Sequence, residues 1–394
     1  MMDALIRIGD EIQPRLREFL GKSGFSDAIR GVSLDVDEYW EFAEFGEKLG
    51  YWYYYGYSSD NEIGAARRLS FQAWSLTTFL HARMDMRPSW WKEHCRAMGY
   101  PEGADPVIIR VVLKEREKLE NADLPRSFGL YPIVYEFRPP NRALGAFDRL
   151  AQLLGRDKDP SKALSIGRAD PNTAGTLGGL LSGQDSRVKY LVTCAHVLGP
   201  PGTSVYQPGP FEGKKSELIG SVSHSRIPGP ASTDDPCSEQ TTPNAARLDL
   251  AVAELAVDPD SLRSLGRITT ANAIRPVPAI RKNDRVTFTG KTRGRVDAKV
   301  GALTLWDQIE FSDGVRCFGH FFELKSPTLN YIREDLANPG DSGSWVVFRL
   351  DDLVVWYGMV ISCDGGQAYA CFADYILEEC NTCGAFPGGV RLIA

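Results

Sequence analysis

The C-terminal half of the chain is punctuated: short runs rich in β-branched and aromatic residues, Val286–Thr289, Ala302–Phe311, Val315–Leu324, Ser344–Leu350 and Leu353–Ser362, are separated by turns bearing Gly and Pro. Such spacing leaves no room for crossover helices between paired strands, so it implies a β-sandwich or barrel rather than βαβ units. This pattern limits where chemistry can sit, because a functional side chain must then lie at a strand end or in a turn.

One turn carries a nucleophile signature. Leu336–Trp345 reads L-A-N-P-G-D-S-G-S-W, placing Ser342 between two glycines. A serine hydroxyl needs a base to take its proton and donors for the oxyanion that forms. Gly340 brings its N–H close to a substrate carbonyl, and Ser342 N–H is the second donor of that oxyanion hole. Upstream, Val188–Val197 (V-K-Y-L-V-T-C-A-H-V) is an apolar run ending at His196, which puts an imidazole at a strand tip, suited to a general base. Between the two, Arg247–Leu255 (R-L-D-L-A-V-A-E-L) holds Asp249 as a lone carboxylate among apolar neighbours, which requires a partner.

T-C-A-H-V, L-D-L-A-V-A and P-G-D-S-G-S, in that order, resemble the three signature segments of trypsin-like, chymotrypsin-fold serine peptidases. The resemblance implies His196 as base and acid, Asp249 as its orienter, Ser342 as nucleophile, and Gly340 with Ser342 as the oxyanion hole. It assigns the primary specificity pocket to Leu336 and Ser362, with Leu336 at its base, so apolar or small residues are expected before the scissile bond. It spans about residues 105–394 and extends to Gly175–Ser182, which looks like the strand opening the first barrel in bacterial and plant members, with Lys189–Thr193 pairing to it. Val205–Pro210, Gly290–Arg295 and Gln367–Tyr375 are similar to further segments of that family. No cofactor and no metal is implied, and the substrate is a protein or peptide. The alternative is a protease-fold scaffold with little turnover that serves as a protein-interaction module.

Residues 1–100 follow a different grammar. Leu5, Ile8, Ile12, Leu16 and Phe19 recur at helical spacing, with Pro14 as a kink or break, and Ala66, Leu69, Ala73, Leu76 and Leu80 mark a second helix after Asp60. Ser89 caps a short helix ending near Gly99. Trp40, Trp52, Tyr53, Tyr54, Tyr55, Trp74, Trp90 and Trp91 read as the core of a small helical domain, or as a docking surface for a regulatory partner. The expected fold class is therefore an α+β multidomain chain, with a small α-helical domain over 1–100 and a peptidase domain over 101–394. Within the latter, 101–172 is an extension and linker, including a strand pair at Asp105–Phe137 and a helix at Arg142–Gly155. Residues 173–394 are expected to form the C-terminal all-β double β-barrel of chymotrypsin/trypsin type.

At 394 residues two domains are expected, and a net charge of −6 without a basic stripe argues against nucleic acid as a partner. The first residues lack a signal-peptide core, and no stretch of about 18 apolar residues occurs, so no membrane partner and a cytoplasmic location are expected. The eight cysteines are accordingly expected as reduced thiols, with Cys194 a small buried apolar residue. Cys363, Cys371, Cys380 and Cys383 offer one knuckle-like pair where a zinc site needs two, so metal: none. His81 and His94 are read as helix surface or packing residues, His320 as a core or edge residue of a strand, and His224 as part of a loop. That loop, Ser221–Ala246, is either an inert insertion or a regulatory loop near the groove. Asp341 has no processed amino terminus to pair with. It must be held by an internal Lys, Arg or backbone donor, or else the enzyme is latent.

Overall fold

A computed structural model describes residues 2–22, 26–37, 89–115, 124–143, 162–170, 173–185, 187–210, 215–230, 237, 247–327, 335–364 and 366–393. The chain divides into two compact units, Met1–Phe137 and Arg138–Ala394. The expected aromatic clusters at 40–55 and Trp74, the helix at 66–80 and His81 lie outside the described residues.

In the first unit, helix α1 (Met2–Gly21) runs unbroken through Pro14, whose ring is exposed, and buries Leu5, Ile12, Leu16 and Leu20. Strand β1 (Ile29–Val36) follows, where only helices are expected. All eight of its residues are buried, so it shows no alternation of apolar and polar positions, and its Arg30, Ser33 and Asp35 hide the apolar run. Asp35 is offset by Arg110, 3.2 Å away, and Arg110 also reaches Glu136 at 2.8 Å. Helix α2 (Ser89–Met98) forms where Ser89 predicts it. Its Trp91 is fully buried and donates Nε1–H to the Ala104 carbonyl at 2.9 Å, while His94 stacks on Trp91 at 5.2 Å and meets Asp37 at 3.3 Å.

Strand β2 (Val107–Leu113) pairs antiparallel with β1 and parallel with β4 (Tyr131–Phe137), while β3 (Ser127–Phe128) pairs with β4. The strand pair expected to belong to the peptidase thus completes the sheet of the first unit. This moves the boundary from near residue 100 to 137/138 and makes the first unit mixed rather than helical. The sequence hides this because β2 finds its partner, β1, some 70 residues upstream across an intervening helix.

The second unit is mostly β. It opens with β5 (Asn141–Ala143), where the first residues of the expected helix at Arg142–Gly155 are strand while 144–155 lie outside the described residues, and β6 (Ser165–Ile166), which pairs with β7 (Gly175–Thr176) and brings part of the supposed linker into the β structure. Strands β8 (Gly179–Gly183), β9 (Lys189–Thr193), β10 (Ser204–Gln207), β11 (Glu217–Arg226) and β12 (Leu250–Leu255) form a sheet in the order β10-β11-β12-β9-β8. Ser221–Arg226 is therefore strand rather than loop, and His224 sits in it, bonded to Glu379 at 2.9 Å. Farther along the same segment, Cys237 forms a disulfide with Cys317, which corrects the expectation that all eight cysteines are reduced. The two lie 80 residues apart, a separation at which spacing alone carries no pairing signal.

The remaining strands are β13 (Ala273–Ile274), β14 (Arg285–Gly290), β15 (Gly294–Phe311), β16 (Gly314–Phe318), β17 (Phe321–Lys325), β18 (Trp345–Leu350), β19 (Leu353–Cys363), β20 (Ala368–Phe372) and β21 (Val390–Leu392). Strands β14-β18-β19-β20-β17-β15 follow one another, and the pairing of β14 with β15 closes them into a ring. Strand β21 returns to β8, making the first sheet six-stranded. Trp345 and Trp356, both fully buried, stack at 3.9 Å. The indole of Trp345 lies so close to Gly179 of the first sheet that a Cβ there would fall 2.6 Å from the ring. Among the described residues no helix is long and apolar enough to cross a membrane.

Candidate active site

His196 lies in the one-turn helix α3 (Ala195–Leu198) that directly follows β9, and Asp249 immediately precedes β12. Strands β9 and β12 are antiparallel neighbours with Thr193 opposite Ala251, so the end of one meets the start of the other. The two side chains are thereby delivered to the same place. Asp249 is fully buried and accepts from His196 twice, through Oδ1 from the backbone N–H at 3.1 Å and through Oδ2 from Nδ1 of the ring. A carboxylate only accepts, so Nδ1 is assigned the proton, and whenever the ring is neutral Nε2 presents its lone pair. Nε2 is buried and, among the described residues, has no hydrogen-bond partner.

Ser342 sits in the turn before β18. Gly340 (φ 99°) and Gly343 (φ 93°) bracket it, a backbone geometry that side-chain-bearing residues rarely adopt, and this is the physical content of the G-D-S-G signal. Among the described residues, no group accepts a hydrogen bond from Gly340 N–H or Ser342 N–H, which leaves both donors open to an oxyanion. The Val360 carbonyl ties the two halves of the site together. It accepts from Gly343 N–H at 2.9 Å and from the Cys194 thiol at 3.3 Å, so the turn bearing Ser342 and the segment bearing His196 converge on one acceptor. The Ser342 hydroxyl donates to the Ile361 carbonyl at 3.2 Å and makes no bond to His196.

Asp341 has the partners that the sequence leaves open. Its Oδ1 accepts from Thr292 N–H (2.7 Å) and Arg293 N–H (3.2 Å), and Oδ2 accepts from Asn338 N–H (2.9 Å). Thr292 and Arg293 belong to the tight turn between β14 and β15, within the G-K-T-R-G-R segment. Complete burial pushes the Asp341 carboxyl up to about 6, against the pull of these donors and of the Arg293 charge. Thr176 is a further supporting residue without a sequence signal. Its N–H donates to the Ser342 carbonyl at 2.8 Å, and its hydroxyl bridges the Gly340 carbonyl (2.8 Å) and Lys291 N–H (3.0 Å). Phe311, at the end of β15, meets the His196 ring edge-on at 5.5 Å and stacks on Phe318 at 5.8 Å, with the Arg316 guanidinium over its face at 5.2 Å.

The two residues assigned to the specificity pocket are both buried. Leu336 lies six residues before Ser342, and Ser362 follows Ile361 on β19 with its hydroxyl unpartnered among the described residues. Cys194, His196 and Asp249 form a group whose ligand atoms lie within 4.8 Å of one another. Burial holds the Cys194 thiol well above its ordinary value, so it stays protonated and suits a hydrogen bond better than a metal. Cys363 and Cys383 are partly exposed thiols outside any disulfide, and Cys371 and Cys380 are buried ones.

No family model and no curated protein matches the chain. Solved structures do resemble it. A Nocardiopsis protease shares 15% identity over 59% of this chain and 98% of its own, with a TM-score of 0.37. Protease A of Thermobifida fusca shares 14% over 59% and 97%, with a TM-score of 0.36, and a chymotrypsin of Cellulomonas bogoriensis shares 15% over 59% and 97%, with a TM-score of 0.34. The likeness is to chymotrypsin-fold serine proteases.

Proposed function

We propose that this protein is a serine endopeptidase whose second unit is a double β-barrel of chymotrypsin type, with His196, Asp249 and Ser342 as its catalytic residues. The observation that carries the reading is the His196–Asp249 pair, which fixes the imidazole tautomer and leaves Nε2 without a partner among the described residues, while Cys194 and Gly343, from the two segments, share the Val360 carbonyl. In this mechanism Ser342 Oγ turns from the Ile361 carbonyl, gives its proton to His196 Nε2 and attacks the scissile carbonyl carbon. The oxyanion is met by Gly340 N–H and Ser342 N–H. The imidazolium, stabilised by Asp249, passes its proton to the leaving amine. Water then enters, is deprotonated by the same nitrogen and releases the acyl group as a carboxylic acid, restoring Ser342. Leu336 at the pocket base favours apolar or small residues before the scissile bond. Efficient cleavage of reporters with Arg at that position, and of no others, would overturn that assignment.

One observation favours the runner-up, a scaffold or latent form: the Ser342 hydroxyl is engaged by Ile361. Labelling with a fluorophosphonate separates the two. The endopeptidase reading expects stoichiometric labelling that disappears in Ser342→Ala, whereas a folded protein that never labels fits the scaffold. The three backbone donors to Asp341 support activity without cleavage of the chain, so the labelled species is expected to keep its full mass.

A further inference from the structure

The strand edge beside the proposed nucleophile is already in use. Strand β19 passes Ser342 at Ile361, and the next two residues, Ser362 and Cys363, pair antiparallel with Ala143 and Arg142 of β5. On its other side β5 runs parallel with Ile309 and Glu310 of β15, one residue before the Phe311 that packs on His196. A three-residue piece of the chain therefore lies between the strand that touches the nucleophile and the strand end that touches the base.

A polypeptide held for attack at Ser342 must be extended, and it gains affinity by adding a strand to an exposed sheet edge. Ser362 and Cys363, which directly follow Ile361 on β19, offer such an edge. We propose that β5 is an intramolecular occupant of the substrate groove, an autoinhibitory strand that an extended peptide must displace before Ser342 can act on it. The proposal rests on the protease reading and adds to it the form in which substrate binds: an unfolded segment lying antiparallel to β19.

The seat of β5 suits a removable strand. Arg138, at the start of the segment, is anchored by Glu323 (2.8 Å) and Tyr369 (3.0 Å). The strand itself is held less well. Asn141 donates to Asp307 at 2.9 Å, but its Oδ1 is buried without a hydrogen-bond partner, which costs the strand part of what its burial gains. The Arg142–Glu310 pair, at 3.2 Å, has side chains 69% and 46% exposed and is worth little in water. Only Ala143 contributes to the apolar core.

The test is Arg142→Pro in the full chain, which removes the strand's central N–H without touching a buried side chain. Turnover is read with succinyl-Ala-Ala-Ala-Leu p-nitroanilide. Occupancy is read by binding of fluorescein-Ala-Ala-Ala-Leu amide to proteins that also carry Ser342→Ala. The expected result is at least a tenfold gain in kcat/KM and at least tenfold tighter peptide binding in Arg142→Pro. Fluorophosphonate labelling should change less than twofold, because so small a reagent needs only Ser342 and the oxyanion donors. Equal peptide binding by the parent and a folded Arg142→Pro would overturn the proposal and make β5 a permanent part of the sheet. Should Arg142→Pro fail to fold, Arg142→Glu sets a carboxylate against Glu310 while keeping the N–H, and is judged by the same binding measurement. Failure of the protease reading looks different: no variant labels, while the binding comparison still reports whether β5 covers the edge.

Discussion

The six-stranded sheet and the closed ring hold their shares of the site in different ways. In the sheet, His196 and Asp249 stand at adjacent ends of paired strands and are joined by two hydrogen bonds, so the proposed base and its proposed orienter are fixed by ladder register. In the ring, Ser342 depends on a glycine turn, on the buried Asp341 beneath it and on one rotamer, and its hydroxyl points to Ile361. On the proposed reading, pre-organisation is thus unequal: the proposed proton acceptor is held by two hydrogen bonds, and the proposed nucleophile has to turn from Ile361. Regulation is therefore expected to act on the ring side, where β5 also lies.

The largest test of that contrast is chemical. Ser342→Ala and His196→Ala should each lower peptide-anilide kcat/KM by about 10⁴-fold or more with little change in Tm. Asp249→Asn should cost about 10³- to 10⁴-fold by allowing the wrong tautomer, with kcat falling and KM held. A loss confined to KM would mean that Asp249 does not orient His196.

The disulfide comes next. Cys237→Ser should lower unfolding stability by about 2–4 kcal/mol in denaturant titrations without reductant, and reductant should bring the parent to the same value. If reductant leaves the parent unchanged, the Cys237 segment contributes nothing to the ring.

Two buried groups of the second unit oppose each other in pH. Asp341, raised to about 6 by burial, contributes stability that is present below its unfolded value near 4 and is lost as pH rises through about 6. His320, lowered to about 4 by burial and then by the Arg247 charge, contributes stability present above about 6.5 and lost as pH falls through about 4. Each amounts to about 3 kcal/mol, so between pH 4 and 6 the two contributions slope in opposite directions. Asp341→Asn should expose the loss toward acid, and His320→Asn, whose side chain tolerates the φ of 53° there, should expose the reverse slope. Parallel pH–Tm curves for the two variants would refute the pairing.

The smallest effect is expected at Thr176→Val, which keeps shape and removes the bridging hydroxyl. A cost of about 1–2 kcal/mol in stability is expected, together with a fall in kcat that exceeds any change in KM, because the bridge positions Gly340.

What the sequence discloses is what is local. T-C-A-H-V, L-D-L-A-V-A and G-D-S-G each carry their meaning within a few residues, and the structure brings His196 and Asp249 into contact with the Ser342 turn close by. The β-rich punctuation is legible for the same reason. Strand β1 is not, because three polar residues are buried in it, and one of them, Asp35, is paired with Arg110, which is distant in the chain. The unit boundary at 137/138, the Cys237–Cys317 bond and the donors to Asp341 are likewise settled by partners far away in sequence. Strand β5 is the extreme case, since its three residues carry no periodicity and take their conformation from the two strands that flank them.

The stacked Trp345 and Trp356 give this junction an optical consequence. Two indoles 3.9 Å apart couple electronically, and one of them begins the strand that leaves the Ser342 turn while its edge presses on the opposite sheet. Their shared circular-dichroism signature should fade whenever the seam between sheet and ring loosens, so the protein carries an intrinsic gauge of that seam beside the proposed nucleophile and needs no attached dye.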